Sequence, residues 1–130
     1  ALSQYKKIQG RLNHFLKRDQ WYQEALKECS GIILPPFSNE SGEVRQWTDL
    51  LSDERIKIEL ALRKNQVDFR PFWHPLHTQN PYKQEGKGFE NAISIAQRGL
   101  WLPSFFEINK EEIQFVSQII NSEMSYEKIC

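Results

Sequence analysis

Two histidines are the residues of this sequence whose type and spacing best suit metal or ligand binding. His74 and His77 lie three positions apart, with Pro75 between them. Imidazole nitrogens bind zinc, but a zinc site needs further ligands, and no carboxylate or thiolate lies at ligand spacing nearby. Pro75 also keeps the two rings off a shared helix face. No metal site is therefore expected, and two interpretations remain: loop histidines bonded to backbone, or one histidine that hydrogen-bonds a ligand in a neighbouring pocket.

Arg70 is the charged residue best placed to bind an anion. It follows a predicted strand and precedes Pro71, so its guanidinium is available to a carboxylate or a phosphate, although a surface ion pair is the simpler interpretation. The sequence contains no glycine-rich phosphate loop and no nucleophile elbow. The chain alone therefore carries no complete catalytic constellation.

Composition and charge indicate an ordinary globular domain. The chain has 130 residues, and 17 Lys and Arg balance 17 Asp and Glu. This balance gives no support to binding of nucleic acid or anionic membranes, which favour a basic surplus, and no apolar run approaches the roughly 20 residues that cross a bilayer. Two cysteines, Cys29 and Cys130, are too few for a disulfide framework, so a reduced, cytoplasmic protein is expected. The chain begins with Ala1 and has Met124 as its one methionine, which indicates a removed initiator or a piece of a longer protein.

Helical patterns occupy the beginning, the middle and the end of the chain. In residues 1–30, apolar side chains recur at three- and four-residue steps, at Tyr5, Ile8, Leu12, Phe15, Tyr22 and Leu26. Polar Asp19 interrupts this stripe, and Ser30 with Gly31 ends the helix. Such a long amphipathic helix is typical of a connector or a packing arm. Further helices are predicted over 53–65, over 91–98 before Gly99, and after the capping-box-like pair Asn109 and Glu112.

Strands are predicted over 32–34, 44–51, 66–70 and 100–102. Pro71 is expected to halt the third strand, and residues 71–89 form a long loop of a kind that is usually functional or disordered. The order of elements predicts an α+β fold, with helices packed on one side of a small, mainly antiparallel sheet. The expected organisation is a single domain over 1–130, with a connecting helix at 1–30, an α+β small domain at 31–121 and a frayed tail at 122–130.

The four tryptophans fall on or beside these predicted elements. They are Trp21, Trp47, Trp73 and Trp101. Aromatic residues so placed are usually packing residues, and an interface is the alternative.

A series of motifs in the second half of the chain resembles a known protein family. Residues 70–79 read Arg-Pro-Phe-Trp-His-Pro-Leu-His-Thr-Gln, and Pro81-Tyr82, Asn91-Ala92, the stretch 98–104 and Glu111-Glu112-Ile113 follow. This series resembles the C-terminal region of the DegT/DnrJ/StrS family of sugar aminotransferases. Residues 22–26 and 31–35 resemble the helix that leaves the family's large domain and its first small-domain strand. The resemblance therefore spans nearly the whole chain.

The resemblance implies the small domain of a fold-type-I enzyme that depends on pyridoxal phosphate. Such an enzyme aminates a nucleotide-linked keto-sugar, with glutamate as the amino donor, for surface polysaccharide or related glycan biosynthesis. In the family, the Schiff-base lysine and the cofactor-binding residues belong to the large domain, so no catalytic residue and no bound cofactor are expected in this chain alone. Lys64 and Lys83 lie outside the matching motif. The implied partners are the missing large domain and, in the full-length enzyme, a second subunit.

The resemblance also implies roles for individual residues. It places the loop 70–77 beside the substrate and implies substrate binding by His77 first, then by Arg70 and His74, with Tyr82 after them. Residues 43–47 depart from the family, which usually has small and aromatic residues there. Two alternatives stay open: a stand-alone protein-interaction module that uses the amphipathic first helix, or the small domain of a related sugar dehydratase, whose distinguishing residue lies in the absent domain.

Overall fold

Four α-helices and a three-stranded antiparallel sheet make up the described part of the chain, in a computed structural model that describes residues 5–36, 38, 42–84 and 87–125. The helices are α1 (Ile8–Leu26), α2 (Arg55–Lys64), α3 (Glu90–Arg98) and α4 (Lys110–Ser125). The strands are β1 (Thr48–Leu51), β2 (Arg70–Pro71) and β3 (Gly99–Leu102), and two 3-10 turns, Leu76–Thr78 and Asn80–Tyr82, lie between β2 and α3. The predicted α+β fold class is confirmed.

β3 is the central strand of the sheet. The strand order is β1–β3–β2, and both pairings are antiparallel. In the β1–β3 ladder, Leu50 lies opposite Leu100, and Asp49 lies opposite Trp101. Because side chains alternate across a strand, the two leucines face one side of the sheet, and Asp49 and Trp101 face the other. Pro71 lacks the backbone donor of a ladder and is tolerated because β2 is an edge strand.

The leucine side of the sheet forms the core with the helices. Leu50, Leu100 and Leu102 are at most 2% exposed. They belong to one buried cluster whose helical members are Tyr22, Leu26, Ile58, Leu62, Ile113, Val116, Ile120 and Met124. α4 contacts both α1 and α2, whereas α3 contributes no buried residue. The predicted packing of helices on one side of the sheet is therefore confirmed through α1, α2 and α4.

The segment 53–65, whose apolar residues alternate like a strand, forms helix α2. Ile58 and Leu62 lie four positions apart and are fully buried, whereas Ile56 and Leu60 are 56% and 62% exposed. Four-residue spacing puts Ile58 and Leu62 on one helix face. The helix predicted over 53–65 is confirmed.

The start of α4 is fixed by a capping box. The backbone N–H of Glu112 donates to Asn109 Oδ1 at 2.9 Å, and the backbone N–H of Asn109 donates to Glu112 Oε2 at 2.8 Å. The Asn109 side chain thereby satisfies one of the donors that a helix N-terminus leaves unpaired, and Glu112 satisfies the donor of the cap residue itself. The helix start predicted from Asn109 and Glu112 is confirmed.

The long first helix is confirmed, but its apolar stripe is buried only toward the C-terminal end. Tyr22 and Leu26 are at most 2% exposed, whereas Tyr5 and Ile8 are 73% and 49% exposed. Asp19, the polar interruption of the stripe, is itself buried. The face of α1 is therefore covered by this chain only where it meets the core.

Three strand predictions need correction. The strand predicted over 44–51 begins at Thr48. Residues 32–34 contain only an isolated bridge between Ile33 and Leu51. The strand predicted over 66–70 instead begins at Arg70 and includes Pro71. Proline did not halt it, because the missing N–H is on the free edge of the sheet.

The sequence predicted that the chain frays from residue 122 onward, and within the described residues this prediction is wrong. α4 continues to Ser125, and Met124 is 6% exposed. A Cβ added to Gly31 would lie 2.6 Å from Met124 Cε, so the thioether packs closely against the turn after α1. Gly31 has a φ of +79°, the left-handed conformation that glycine adopts at helix ends. Residues 126–130 lie outside the described residues.

Replacing Gly99 with alanine is expected to destabilise the fold by about 1–3 kcal/mol through overpacking. The added Cβ would overlap the ring of Phe72 and lie 2.7 Å from the carbonyl oxygen of Ile95. Gly10→Ala is the matched control, because nothing lies within 4 Å of its added Cβ and alanine within a helix is about 1 kcal/mol more favourable than glycine. Urea unfolding measures both changes. A Gly99→Ala variant as stable as the wild type would contradict the packing of Phe72 against β3.

Candidate functional site

An open groove of about 1040 Å³ lies beside the end of β3. Its walls are the segment 66–70, the stretch 101–105 and the beginning of α4. The lining residues most relevant to function are Trp47, Arg70, Trp73, Trp101, Phe105 and Phe115. We call this cleft the tryptophan groove. Its size is at the upper end of the range of small-molecule sites.

Trp101 is at the centre of an aromatic cluster in the groove. Its ring centroid lies 4.9 Å from those of Phe72 and Trp73 and 5.2 Å from that of Trp47. The ring of Trp73 meets Trp101 edge to face, an arrangement that aromatic pairs prefer. Trp73 is 69% exposed and Trp47 is 42% exposed, whereas Trp21 packs half-buried against the core. Trp47 and Trp73 therefore pack against Trp101 and also present an exposed apolar surface, and the interface expected as the alternative stays a prediction for them.

The register of the sheet places Arg70 beside Trp101 in the tryptophan groove. Arg70 pairs with Trp101, and Trp101 pairs with Asp49, so the three side chains form one row across the sheet. The indole N–H of Trp101 donates to Asp49 Oδ1 at 2.8 Å. Among the described residues, the guanidinium of Arg70 has no hydrogen-bond or ion-pair partner. Its donors are therefore open to an anionic ligand.

His77 lies in a separate loop that its own hydrogen bonds keep in shape. The imidazole stacks on the ring of Phe89 at a centroid distance of 4.0 Å and an angle of 12°. The carbonyl oxygen of His77 accepts from the backbone N–H of Gln84 at 3.1 Å. The carbonyl oxygen of His74 accepts from Gln79 Nε2 at 3.0 Å. His77 is therefore half-buried and oriented by Phe89, which directly precedes α3.

The four residues expected to bind substrate do not form one cluster. Arg70 lines the tryptophan groove, His77 stacks on Phe89, and His74 and Tyr82 are exposed. Within the described ranges, none of the four side chains bonds to another. In the same ranges, no three His, Cys, Asp or Glu side chains are grouped as metal ligands, and no helix is long and apolar enough to cross a membrane.

A buried ion pair that the sequence analysis did not identify lies next to the groove. Arg18 is 0% exposed and Asp19 is 2% exposed, and Asp19 Oδ1 accepts from Arg18 Nε at 3.2 Å and from Nη2 at 3.1 Å. Burial raises the pKa of the Asp19 carboxyl, although the Arg18 guanidinium and the Thr48 hydroxyl lower it. Arg18 also donates to the backbone carbonyls of Arg45, Gln46 and Ser104. The only signal of this pair in the sequence was the interruption of the apolar stripe at Asp19.

Sequence comparison relates the chain to enzymes that transfer amino groups. The model of the DegT/DnrJ/EryC1/StrS aminotransferase family matches residues 1–121. A curated relative, the GDP-perosamine synthase of Escherichia coli O157:H7, is 27% identical over 70 residues, which are 54% of this chain and 19% of that protein.

Solved structures share the fold over nearly the whole chain. A DegT/DnrJ/EryC1/StrS aminotransferase from Brucella abortus has a TM-score of 0.84 at 19% identity, over 95% of this chain and 34% of its own. The aminotransferase TlmJ from Streptoalloteichus hindustanus has a TM-score of 0.81 at 16% identity, over 97% of this chain and 35% of its own. PseC from Helicobacter pylori, an aminotransferase of pseudoaminic acid biosynthesis, has a TM-score of 0.79 at 15% identity, over 96% and 36%. The chain spans about a third of the length of these proteins.

Replacing Asp49 with alanine is expected to destabilise the protein by about 1–3 kcal/mol, because the half-buried indole N–H of Trp101 loses its acceptor. Asp53→Ala is the matched control. The Asp53 side chain is 83% exposed and pairs with Arg98 at 2.7 Å, and such surface pairs contribute little. Urea denaturation followed by tryptophan fluorescence measures both variants. Equal losses in the two variants would contradict a role for the Asp49–Trp101 bond in holding the aromatic cluster.

Proposed function

Because the chain belongs to the DegT/DnrJ/EryC1/StrS aminotransferase family, we propose that it forms the C-terminal small domain of a pyridoxal-phosphate-dependent enzyme that aminates a nucleotide-linked keto-sugar. The observation that carries the proposal is the match of 95% of this chain to 34% of a solved aminotransferase at a TM-score of 0.84. The chain does not catalyse the reaction alone. Its partner is the large domain, and the complete enzyme is a cytoplasmic homodimer that takes its amino group from glutamate.

The described residues do not fit pyridoxal phosphate by themselves. The cofactor's aldehyde needs a lysine in a sheltered site, yet every lysine in the described ranges is exposed. No lysine lines the tryptophan groove, and the side chains of Lys27, Lys57 and Lys110 are 69%, 44% and 48% exposed. We therefore assign cofactor binding to the large domain.

The part of this chain in the proposed enzyme is to close and shape the substrate site. The guanidinium of Arg70, which has no partner among the described residues, offers its donors to a carboxylate or phosphate of the substrate. His77, oriented by its stacking on Phe89, offers its ring nitrogens for a hydrogen bond to the sugar or the cofactor edge. His74 and Tyr82 are exposed on the same loop and serve as further contacts. A nucleotide-linked substrate is supported by the curated relative, which is a GDP-perosamine synthase.

The surface left open in this chain is consistent with a covering large domain. α3 has no buried residue, and its Ile93 and Ile95 are 38% and 47% exposed. Trp73 at 69% and Tyr5 at 73% add further apolar surface. Apolar groups exposed in such patches mark interaction surfaces.

In the assembly of this chain with its large domain, His77→Ala is expected to lower kcat/KM by about tenfold, the loss of one hydrogen bond to substrate. Arg70→Ala is expected to lower it further, because hydrogen bonds from a charged donor are stronger. Lys64→Ala, on an exposed position outside the matching motif, is the matched control and leaves kcat/KM unchanged. Transaminase turnover and the pyridoxal absorbance band measure the outcome. A verified complete assembly that shows neither transaminase turnover nor the pyridoxal absorbance band would contradict the proposed function.

A stand-alone interaction module is the competing function, favoured by the exposure of Tyr5 and Ile8 at the start of α1. If the chain acts in this way, it self-associates or captures a partner through that face. We expect a monomer instead, since the amphipathic face serves the large domain of the same enzyme. Size-exclusion chromatography with light scattering at high concentration decides, and a stable dimer that Ile8→Lys dissociates would favour the module.

A further inference from the structure

We propose that Arg18, assisted by Tyr22, locks helix α1 to the walls of the tryptophan groove and is a positioning residue for that groove. Arg18 Nη1 donates to the carbonyl oxygens of Gln46 at 3.0 Å and Ser104 at 3.1 Å. Gln46 directly precedes Trp47, and both Trp47 and Ser104 line the groove. One guanidinium nitrogen therefore joins two groove segments that lie 28 and 86 positions away along the chain.

Asp19 fixes the guanidinium and ties it to β1. Its Oδ1 accepts from two nitrogens of Arg18 at 3.1 and 3.2 Å and from the Thr48 hydroxyl at 3.0 Å. Thr48 directly follows Trp47, and its backbone N–H donates to Ser104 Oγ at 2.9 Å. The bonds thus form a closed circuit through both groove segments. Because Arg18 and Asp19 are buried, little water competes for these bonds, and the low local dielectric strengthens them.

A second bond from α1 holds the same groove segment. The Tyr22 hydroxyl donates to the carbonyl oxygen of Pro103 at 2.9 Å. Tyr22 is 0% exposed, and burial raises the pKa of its phenol, so the group stays protonated and remains a donor. α1 therefore holds the carbonyls of two successive residues, Pro103 and Ser104.

The geometry requires arginine at position 18. Its planar fork of five donors reaches a carboxylate and several carbonyls at once, whereas a lysine ammonium is a compact point charge. Lysine would keep a positive charge beside Asp19 but could not hold Arg45, Gln46 and Ser104 together. A displacement of α1 consequently moves Trp47 and Ser104 with it. In the proposed enzyme, a shift of α1 by the large domain would reach the groove; that consequence rests on the proposed function, whereas the lock is a property of this chain.

Arg18→Lys tests the lock in the chain as it stands, by native-state amide hydrogen exchange read by NMR. Exchange at least about tenfold faster than in the wild type, from local opening, is expected at the Thr48 amide, because its N–H donates to Ser104 Oγ and this bond opens when the two groove segments separate. Tyr22→Phe keeps the ring and removes only the hydroxyl. It is expected to accelerate exchange at the Thr48 amide less than Arg18→Lys does, because only the bond to Pro103 is lost and the bonds of Arg18 remain.

Ile58→Val is the matched control, because it weakens the core from α2 and its side chain has no group that could hydrogen-bond the groove segments. Loss of overall stability alone would raise exchange similarly in this control. The proposal is overturned if acceleration in Arg18→Lys is no larger at the Thr48 amide than in Ile58→Val. If Arg18→Lys does not fold, Tyr22→Phe decides, and exchange at the Thr48 amide that is no faster than in Ile58→Val overturns the proposal. No readout uses transaminase activity, so the outcome is independent of the proposed function.

Discussion

The buried ion pair of Arg18 and Asp19 is the constraint on which the arrangement of this domain depends. Removing two charges from water costs several kcal/mol per ion, and only close geometry with further hydrogen bonds offsets that cost. Here the guanidinium bonds one carboxylate oxygen and three backbone carbonyls. Those carbonyls belong to the approach to β1 and to the segment after β3. α1, β1 and β3 must therefore be in register with one another for the pair to be buried at all.

With α1 fixed in this way, one face of the sheet packs in the core and the other does not. The leucines of β1 and β3 close the core beneath α1, α2 and α4. The opposite face carries the row of Asp49, Trp101 and Arg70. This division explains why two exposed indoles and a guanidinium without a partner among the described residues are tolerated: they lie outside the core.

Sequence reasoning succeeded where the information is local. The capping box at Asn109, the helix at α2 and the glycine turn at Gly31 each depend on residues within one or two helical turns. Reasoning failed where distant contacts decide. Arg18 bonds to carbonyls 28 and 86 positions away, and every residue has a carbonyl, so no residue type marks the partners. The continuation of α4 through Met124 depended likewise on packing against the distant Gly31. The binding roles of Arg70 and His77 stay predictions.

The expected site residues all lie in β2 or on the loop between β2 and α3, whose start is hydrogen-bonded to β3. Arg70 pairs with Trp101, and the backbone N–H of Phe72 donates to the carbonyl oxygen of Gly99 at 3.1 Å. The loop therefore begins at β2 next to β3, the strand to which the chain returns after α3. The stacking of His77 on Phe89, the residue before α3, supports the middle of this loop. The absence of a side chain at Gly99 admits the Phe72 ring at this base. Since Trp101 is held by Asp49, and β1 by Arg18 and Asp19, the position of the loop after Arg70 depends on the same buried pair that holds the groove segments.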